Sequence, residues 1–346
     1  MKNFKENIKI ISIIIGTFIG AGFASGKEIY IFFAQYGVYG ILGAIVSAVV
    51  TALIIYKVLK ISNKLNINKN CEFVKRITVN KQISMIIENI INIFLTLSFW
   101  VMNAGICTFF FQEIKIPIII TSVINAVIIY ILFMKKMKGI QSLNTVVVPV
   151  MVIIIISVSI KSFPLKEMLK LDINRNIEVA EIIKVFTRAI LYSSYNSITL
   201  IPIVILMSKS IKENKKISSI LIGIMIFILI FSIFKILLLS PVRIANDEFP
   251  ILTILKNCTK MEQILYKIAI IVAIFTSQIS AGFAVLENAK NNRQYSILAI
   301  IMCILSIPIS YVGFGKLISI FYPTFGIIGI IQIILITCYK ENENKS

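Results

Sequence analysis

The residues of this chain best suited to chemistry lie in two places. Gly16 to Gly26 reads GTFIGAGFASG inside an apolar segment and is followed at once by Lys27 and Glu28. Ser193, Ser194, Tyr195, Asn196 and Ser197 form a polar run within another apolar segment, with Pro202 just beyond it. Neither set contains a nucleophile with a base beside it. What they offer is coordination: side-chain oxygens and, where glycine lets a helix unwind, backbone carbonyls for a cation and amides at a positive dipole end for an anion.

Several chemistries are excluded outright. The chain has no histidine, so imidazole metal ligation, a Ser-His-Asp triad and histidine pH sensing are absent. Cys71, Cys107, Cys258, Cys303 and Cys338 are far apart and form no CxxC pair, which gives neither a disulfide framework nor a metal site. The paired acids of intramembrane prenyl transfer are missing, and so is any repeated selectivity-filter sequence. An enzyme is therefore not expected, a channel is disfavoured, and no cofactor is called for beyond a coupling ion, Na+ or H+.

The elements that position these residues are membrane helices. The 346 residues are 58% hydrophobic and 15% charged with a mean hydropathy of +0.93, the balance of a polytopic membrane protein. Apolar runs of about 20 residues indicate an all-α protein rather than a barrel. Ten spans are expected, at roughly 8 to 34, 38 to 60, 83 to 111, 116 to 134, 140 to 160, 180 to 207, 217 to 240, 262 to 286, 295 to 313 and 317 to 338. The N-terminal lysines, apolar run and small residues near Ala21 to Ala24 resemble a cleavable signal peptide, but continued crossing after Gly26 favours an uncleaved signal-anchor span.

With both termini cytoplasmic, 21 basic residues fall inside and 11 outside, and Lys27, Arg188 and Lys235 fall within spans. The positive-inside rule thus explains the net charge of +19, and no nucleic-acid partner is implied. The expected partners are the lipid bilayer of the cell membrane and a small-molecule substrate; oligomeric state is left open. The loops 161 to 180 and 241 to 261 are long enough for short outer helices, and 62 to 80 for an inner one. Residues 1–346 read as one membrane domain.

Ten spans divide into five and five, and an odd number makes the second half enter from the opposite face. That is an inverted repeat, about 8–160 and about 180–338. In such folds the first span of each half is interrupted, and here both are interrupted in sequence, span one by glycines and span six by Ser193 to Ser197. A polar run in hydrocarbon is costly unless it faces protein or water. For span one a second reading stands beside this, an unbroken helix whose Gly16, Gly20, Gly22 and Gly26 make a close packing face.

GTFIGAGFASGKEIYIFF and SSYNS resemble the bacterial YkvI-type membrane proteins, which look like members of the amino acid-polyamine-organocation superfamily with the LeuT-type five-plus-five fold. The resemblance spans nearly the whole chain and implies broken helices 1 and 6. It implies a substrate site from Thr17, Gly20, Ala21, Gly22, Asn103, Ser194, Tyr195 and Asn196. It also implies a sodium site from the carbonyls of Gly16 and Ile19 with the hydroxyls of Thr276 and Ser277. Thr17 stands where many relatives carry an amide, which puts a second sodium site in doubt. The other reading of Thr276, Ser277 and Ser280 is that they bond their own helix.

Lys27 and Glu28 fall in the outer half of span one and read as an outer gate, pairing with Arg188 or with acids of the outer loops; snorkelling at the interface is the other reading. Trp100 reads as packing and Glu88 as hydrated near a span end, with proton relay the alternative. The leading expectation is an ion-coupled transporter of a small polar organic solute such as an amino acid. The alternative is a membrane sensor of the same fold that binds without transport.

Overall fold

A computed structural model describes residues 14–67, 69–78, 80–135, 143–162, 178–211, 215–238, 247–256 and 258–339. The first apolar segment is helical over 14–18 (α1), Ala21–Ser25 (α2) and Lys27–Phe32 (α3), followed by a 3-10 stretch Ala34–Tyr39. Then come α4 (Gly40–Lys64), α5 (Asn70–Ile77), α6 (Lys81–Ile114), α7 (Ile118–Met134) and α8 (Leu143–Ser162). The second half holds α9 (Val179–Met207), α10 (Lys215–Leu238), α11 (Pro250–Leu255), α12 (Lys260–Leu286), α13 (Asn292–Ile309) and α14 (Phe314–Cys338).

Seven helices among the described residues are long and apolar enough to cross a membrane: Ala34–Lys64, Lys81–Ile114, Val179–Met207, Lys215–Leu238, Lys260–Leu286, Asn292–Val312 and Phe314–Cys338. The other three expected spans fall on the interrupted α1–α3 segment, on α7 and on α8. The short helices expected in the 62 to 80 and 241 to 261 loops are α5 and α11. Of the 161 to 180 loop, residues 163–177 lie outside the described residues.

Apolar side chains cover both the inside and the outside of the bundle. On α4, Leu42, Ile45, Val49 and Leu53 point outward at helical spacing while Ala44, Ser47, Ala48, Thr51 and Ile55 are buried. In water such an exposed stripe would be a liability. In lipid it is the ordinary solvent-facing surface, and what packs inside is small, which lets helices approach closely. α9 lies at the centre, packed against α4 and α14, and α12 packs along α6.

Helix six departs from expectation: α9 runs unbroken from Val179 to Met207. Its polar run needs no unwinding because the side chains return to their own helix. Ser193 Oγ donates to the Ala189 carbonyl (3.0 Å), Ser194 Oγ to Ile190 (2.7 Å), Asn196 Nδ2 to Tyr192 (3.0 Å) and Ser197 Oγ to Ser193 (2.6 Å). Hydroxyls bonded to the i−4 carbonyl can be buried in an intact helix at little cost.

Candidate functional site: a broken first span facing a tyrosine cluster

The first span is broken, and the packing-face reading of an intact helix does not hold. Gly20 is extended (φ −85°, ψ 179°), and its amide turns to the Phe18 carbonyl at 3.0 Å. The Gly16 carbonyl thereby loses its usual i+4 donor, and the ladder resumes only when the Ala24 amide reaches the Gly20 carbonyl at 3.0 Å. A Cβ on Gly20 would meet nothing within 4 Å, so the break borders open space.

A second interruption was not expected. Gly26 adopts φ +80°, a left-handed conformation that ends α2 and starts α3 and that costs a side-chain-bearing residue strain. A Cβ there would also sit 2.6 Å from Ile251 of α11. This turn sends Lys27 and Glu28 into the protein, where they are 7% and 3% exposed, so neither snorkels to a lipid interface.

The two adjacent charges part company. Lys27 Nζ donates to the Asp247 carbonyl at 2.7 Å. A Cβ on Gly315 would lie 2.9 Å from Lys27 Cε and 3.1 Å from Glu248 Oε2, so ammonium stem and carboxylate converge over that glycine. Glu248 also accepts from the Gly315 amide, tying the loop before α11 to the start of α14. Lys27 thus engages the acids of the 241 to 261 loop, as one sequence reading had it. No described contact joins Arg188 to Lys27 or Glu28.

Glu28 instead folds back over the break. It accepts a hydrogen bond from the Tyr195 hydroxyl and another from the Phe23 amide. Its Oε1 would be 2.2 Å from a Cβ on Gly22, so Gly22 is the glycine that makes room for it. Around this carboxylate Tyr195 stacks between Tyr322 of α14 (4.8 Å between centroids, 28°) and Phe32 of α3 (5.6 Å, 23°). Tyr192 meets Phe18, Phe32, Phe33 and Tyr195 edge-on. Its buried hydroxyl lies beside the side chains of Asn196 and Tyr195.

The remaining expected site residues are spread. Ala21 and Gly22 are buried in α2, and Thr17 and Gly20 are half-exposed. Asn196 is buried on α9. Ser194 lies where α9 crosses α14, since a Cβ on Gly329 would come 2.3 Å from the Ser194 carbonyl oxygen. Thr276 Oγ donates to Val272 (2.8 Å) and Ala273 (3.2 Å) of its own helix, and Ser277 is half-buried nearby. The same helix meets α2, where the Tyr266 hydroxyl donates to the Ala24 carbonyl at 2.7 Å.

Asn103 is drawn elsewhere. Its Nδ2 donates to Ser122 Oγ and to the Ser306 carbonyl, both at 3.0 Å, and its Oδ1 accepts from Asn125 at 2.7 Å. Asn125 also donates to Gln278 Oε1 at 2.9 Å, so four helices, α6, α7, α12 and α13, are laced by one buried amide network. Trp100 donates to the Met302 carbonyl at 3.0 Å in the same region, a packing role. Asn125→Ala leaves the Asn103 and Gln278 oxygens without a donor, and about 1–3 kcal/mol of stability should be lost per orphaned group. A lower unfolding midpoint in detergent checks this; an unchanged midpoint counts against it.

The sequence reading missed Tyr192, Tyr322, Asp247, Glu248, Asn125 and Gln278. Tyr192 was within reach: it precedes Tyr195 by three residues, which puts both rings on one helical face. Nothing in the sequence linked Tyr322 to span one, and the outer-loop acids were named as a group without singling out Asp247 or Glu248.

No family model matches the chain. It is 27% identical over 348 residues to the uncharacterized membrane protein YkvI of Bacillus subtilis (strain 168), covering 96% of this chain and 95% of that one. It is 22% identical over 342 residues to the uncharacterized protein YyaD of the same organism, covering 97% of each. Crystal structures of two variants of the Eremococcus coleocola manganese transporter superpose with TM-score 0.60 at 12% identity, covering 94% of this chain and 77% of theirs. At that identity the likeness speaks to fold alone. The chain is thus a multi-pass membrane protein similar along nearly its whole length to the YkvI-type bacterial proteins, with the fold of a known transporter.

Proposed function

We propose that this chain is a secondary active transporter of the cell membrane that carries a small polar organic solute, an amino acid or a related compound, by ion-coupled alternating access. The observation that carries the reading is the break at Ile19 and Gly20, beside which Phe18 meets Tyr192 of α9 edge-on, in a fold shared with a manganese transporter. Helix packing supports an inverted repeat. Equivalent spans of the two halves meet each other, α4 with α10, α6 with α12 and α7 with α13, and the α6–α14 contact has its counterpart in α8–α12. Both termini are placed on the cytoplasmic side by the basic-residue bias.

In this reading Thr17, Gly20, Ala21, Gly22, Tyr195 and Asn196 border the substrate, with Ser194 and Asn103 supporting the helices around it. The Gly16 and Ile19 carbonyls with Thr276 and Ser277 form the sodium site, used where Na+ is the coupling ion. Thr276 donates its proton to its own helix and keeps oxygen lone pairs for a cation. Lys27, held by Asp247 and Glu248, closes the outer side.

Reconstitution into proteoliposomes tests the proposal: amino acids and amines should accumulate under an imposed sodium or proton gradient. Saturable binding with no flux under either gradient would instead establish the sensor, a reading favoured by the unbroken α9. Lys27→Met should loosen the outer closure and raise external labelling of a cysteine placed at Ser25 several-fold. Unchanged labelling would remove Lys27 from the gate.

A further inference from the structure

We infer that the inner end of the seam between α4 and α10 binds an anionic phospholipid, its phosphate held by Lys60, Lys64 and Lys216 and its acyl chains laid along the apolar side of the seam. The inference rests on the membrane reading and not on transport. On α4 the exposed residues form a single row at helical spacing: Leu42, Ile45, Val49, Leu53, Lys60 and Lys64. The row is apolar as far as Leu53 and basic beyond it. Lys60 stands two turns past Leu53 on the same face, where a lipid-facing surface passes from acyl chains to headgroups. On α10 the change runs the other way, with exposed Lys216 preceding the exposed row Ile217, Ile220, Ile224 and Ile228. Lys57 is outside the set, since its ammonium is turned to the Thr337 carbonyl of α14.

Two contacts fix the register of the helices. A Cβ on Gly223 would lie 2.7 Å from the Ala52 Cβ, and Asn63 Nδ2 donates to the Ile211 carbonyl at 2.9 Å, so α4 and α10 run antiparallel with the end of one beside the start of the other. Counted from that crossing toward the lysines, Lys60 and Lys216 both lie about 10–12 Å along their helices, at matching depth. Leu53 and Ile224 each follow a touching residue by one position, a turn of about 100°, and in antiparallel helices this brings both to one side of the seam. Lys60 projects to that same side, and Lys216 lies within about 20° of the seam itself. Neither helix contains an acidic residue. Ammonium groups set at the end of an apolar face match a phosphate that carries acyl chains. The basic-residue bias places this end at the cytoplasmic leaflet, whose anionic lipids attract basic segments.

Native mass spectrometry of the full-length protein in detergent, titrated with phosphatidylglycerol or with phosphatidylcholine of equal chain length, tests the site. Phosphatidylglycerol should be retained at concentrations where phosphatidylcholine is not. Lys216→Gln should weaken retention about fivefold, the factor that one basic residue near a membrane surface contributes, and Lys60→Gln combined with Lys216→Gln about twentyfold or more. Both lysines are exposed, so the variants should keep the parent's unfolding midpoint. Lys290→Gln combined with Arg293→Gln, also exposed but at the start of α13, should change nothing. Equal weakening by that control pair would reduce the effect to diffuse surface charge and overturn the site. Equal retention of phosphatidylcholine, unchanged retention in the Lys60 and Lys216 double variant, or displacement of the lipid by inorganic phosphate would each overturn it as well. Retention as expected in a protein that shows no flux would leave this inference standing and count against transport alone.

Discussion

Gly22→Ala is expected to cut ligand binding and uptake about tenfold or more while the protein still folds. The added Cβ would lie 2.2, 2.7 and 2.8 Å from Oε1, Cγ and Cδ of Glu28, closer than real contacts allow. Glycine φ freedom is not at issue here, since Gly22 sits inside α2. What must move is the Glu28 side chain, and with it the carboxylate bonded to Tyr195. A hydrogen bond to a charged group is worth about 1.5–3 kcal/mol, and 1.4 kcal/mol is a factor of ten in affinity. The mechanism is checked by a double-mutant cycle. Glu28→Ala removes the atoms that the new methyl strikes, so Gly22→Ala added to it should cause almost no further loss. If the two substitutions were simply additive, displacement of Glu28 would be the wrong explanation.

Gly329→Ala is expected to be the more damaging of the glycine substitutions for stability. Its Cβ would lie 2.3 Å from the Ser194 carbonyl oxygen and 2.6 Å from the carbonyl carbon, so backbone meets methyl where α14 crosses α9. A backbone cannot rotate aside as a side chain can, and relief means prying two central helices apart. Overpacking of this sort costs about 1–3 kcal/mol. Gly20→Ala is the comparison: with φ −85° and nothing within 4 Å, it should leave the unfolding midpoint where it was. Thermal unfolding of the three proteins in one detergent decides the matter, and equal midpoints for Gly329→Ala and the parent would contradict the close crossing.

How far the site could be read from sequence follows from the range of each interaction. The break in span one was legible because glycine spacing and the polar Lys27–Glu28 step act within one segment. The same reasoning failed for span six. Ser193 to Ser197 signalled polarity correctly, but i−4 back-bonding by hydroxyls satisfies such residues without unwinding, and a sequence does not state which of these outcomes wins. Asn103 was a sound candidate on chemistry alone. Its partners Ser122, Asn125 and Ser306 lie 19 to 203 residues away, so its commitment to a packing network was invisible before the helices were assembled.

By itself the sequence determined that the chain crosses the membrane as apolar helices, and roughly where each begins and ends. Lipid forces this, because every backbone group must be satisfied within its own segment. Helix positions therefore follow from local hydropathy: the expected 180 to 207 and 262 to 286 spans correspond to α9 and α12. Tertiary structure alone decided which polar groups meet. Lys27 and Glu28 are neighbours in sequence, yet the left-handed turn at Gly26 sends one to Asp247 and the other to Tyr195. Side-chain pairing across the bundle depends on helix rotation and crossing, set by small residues such as Gly315 and Gly329 against partners far along the chain.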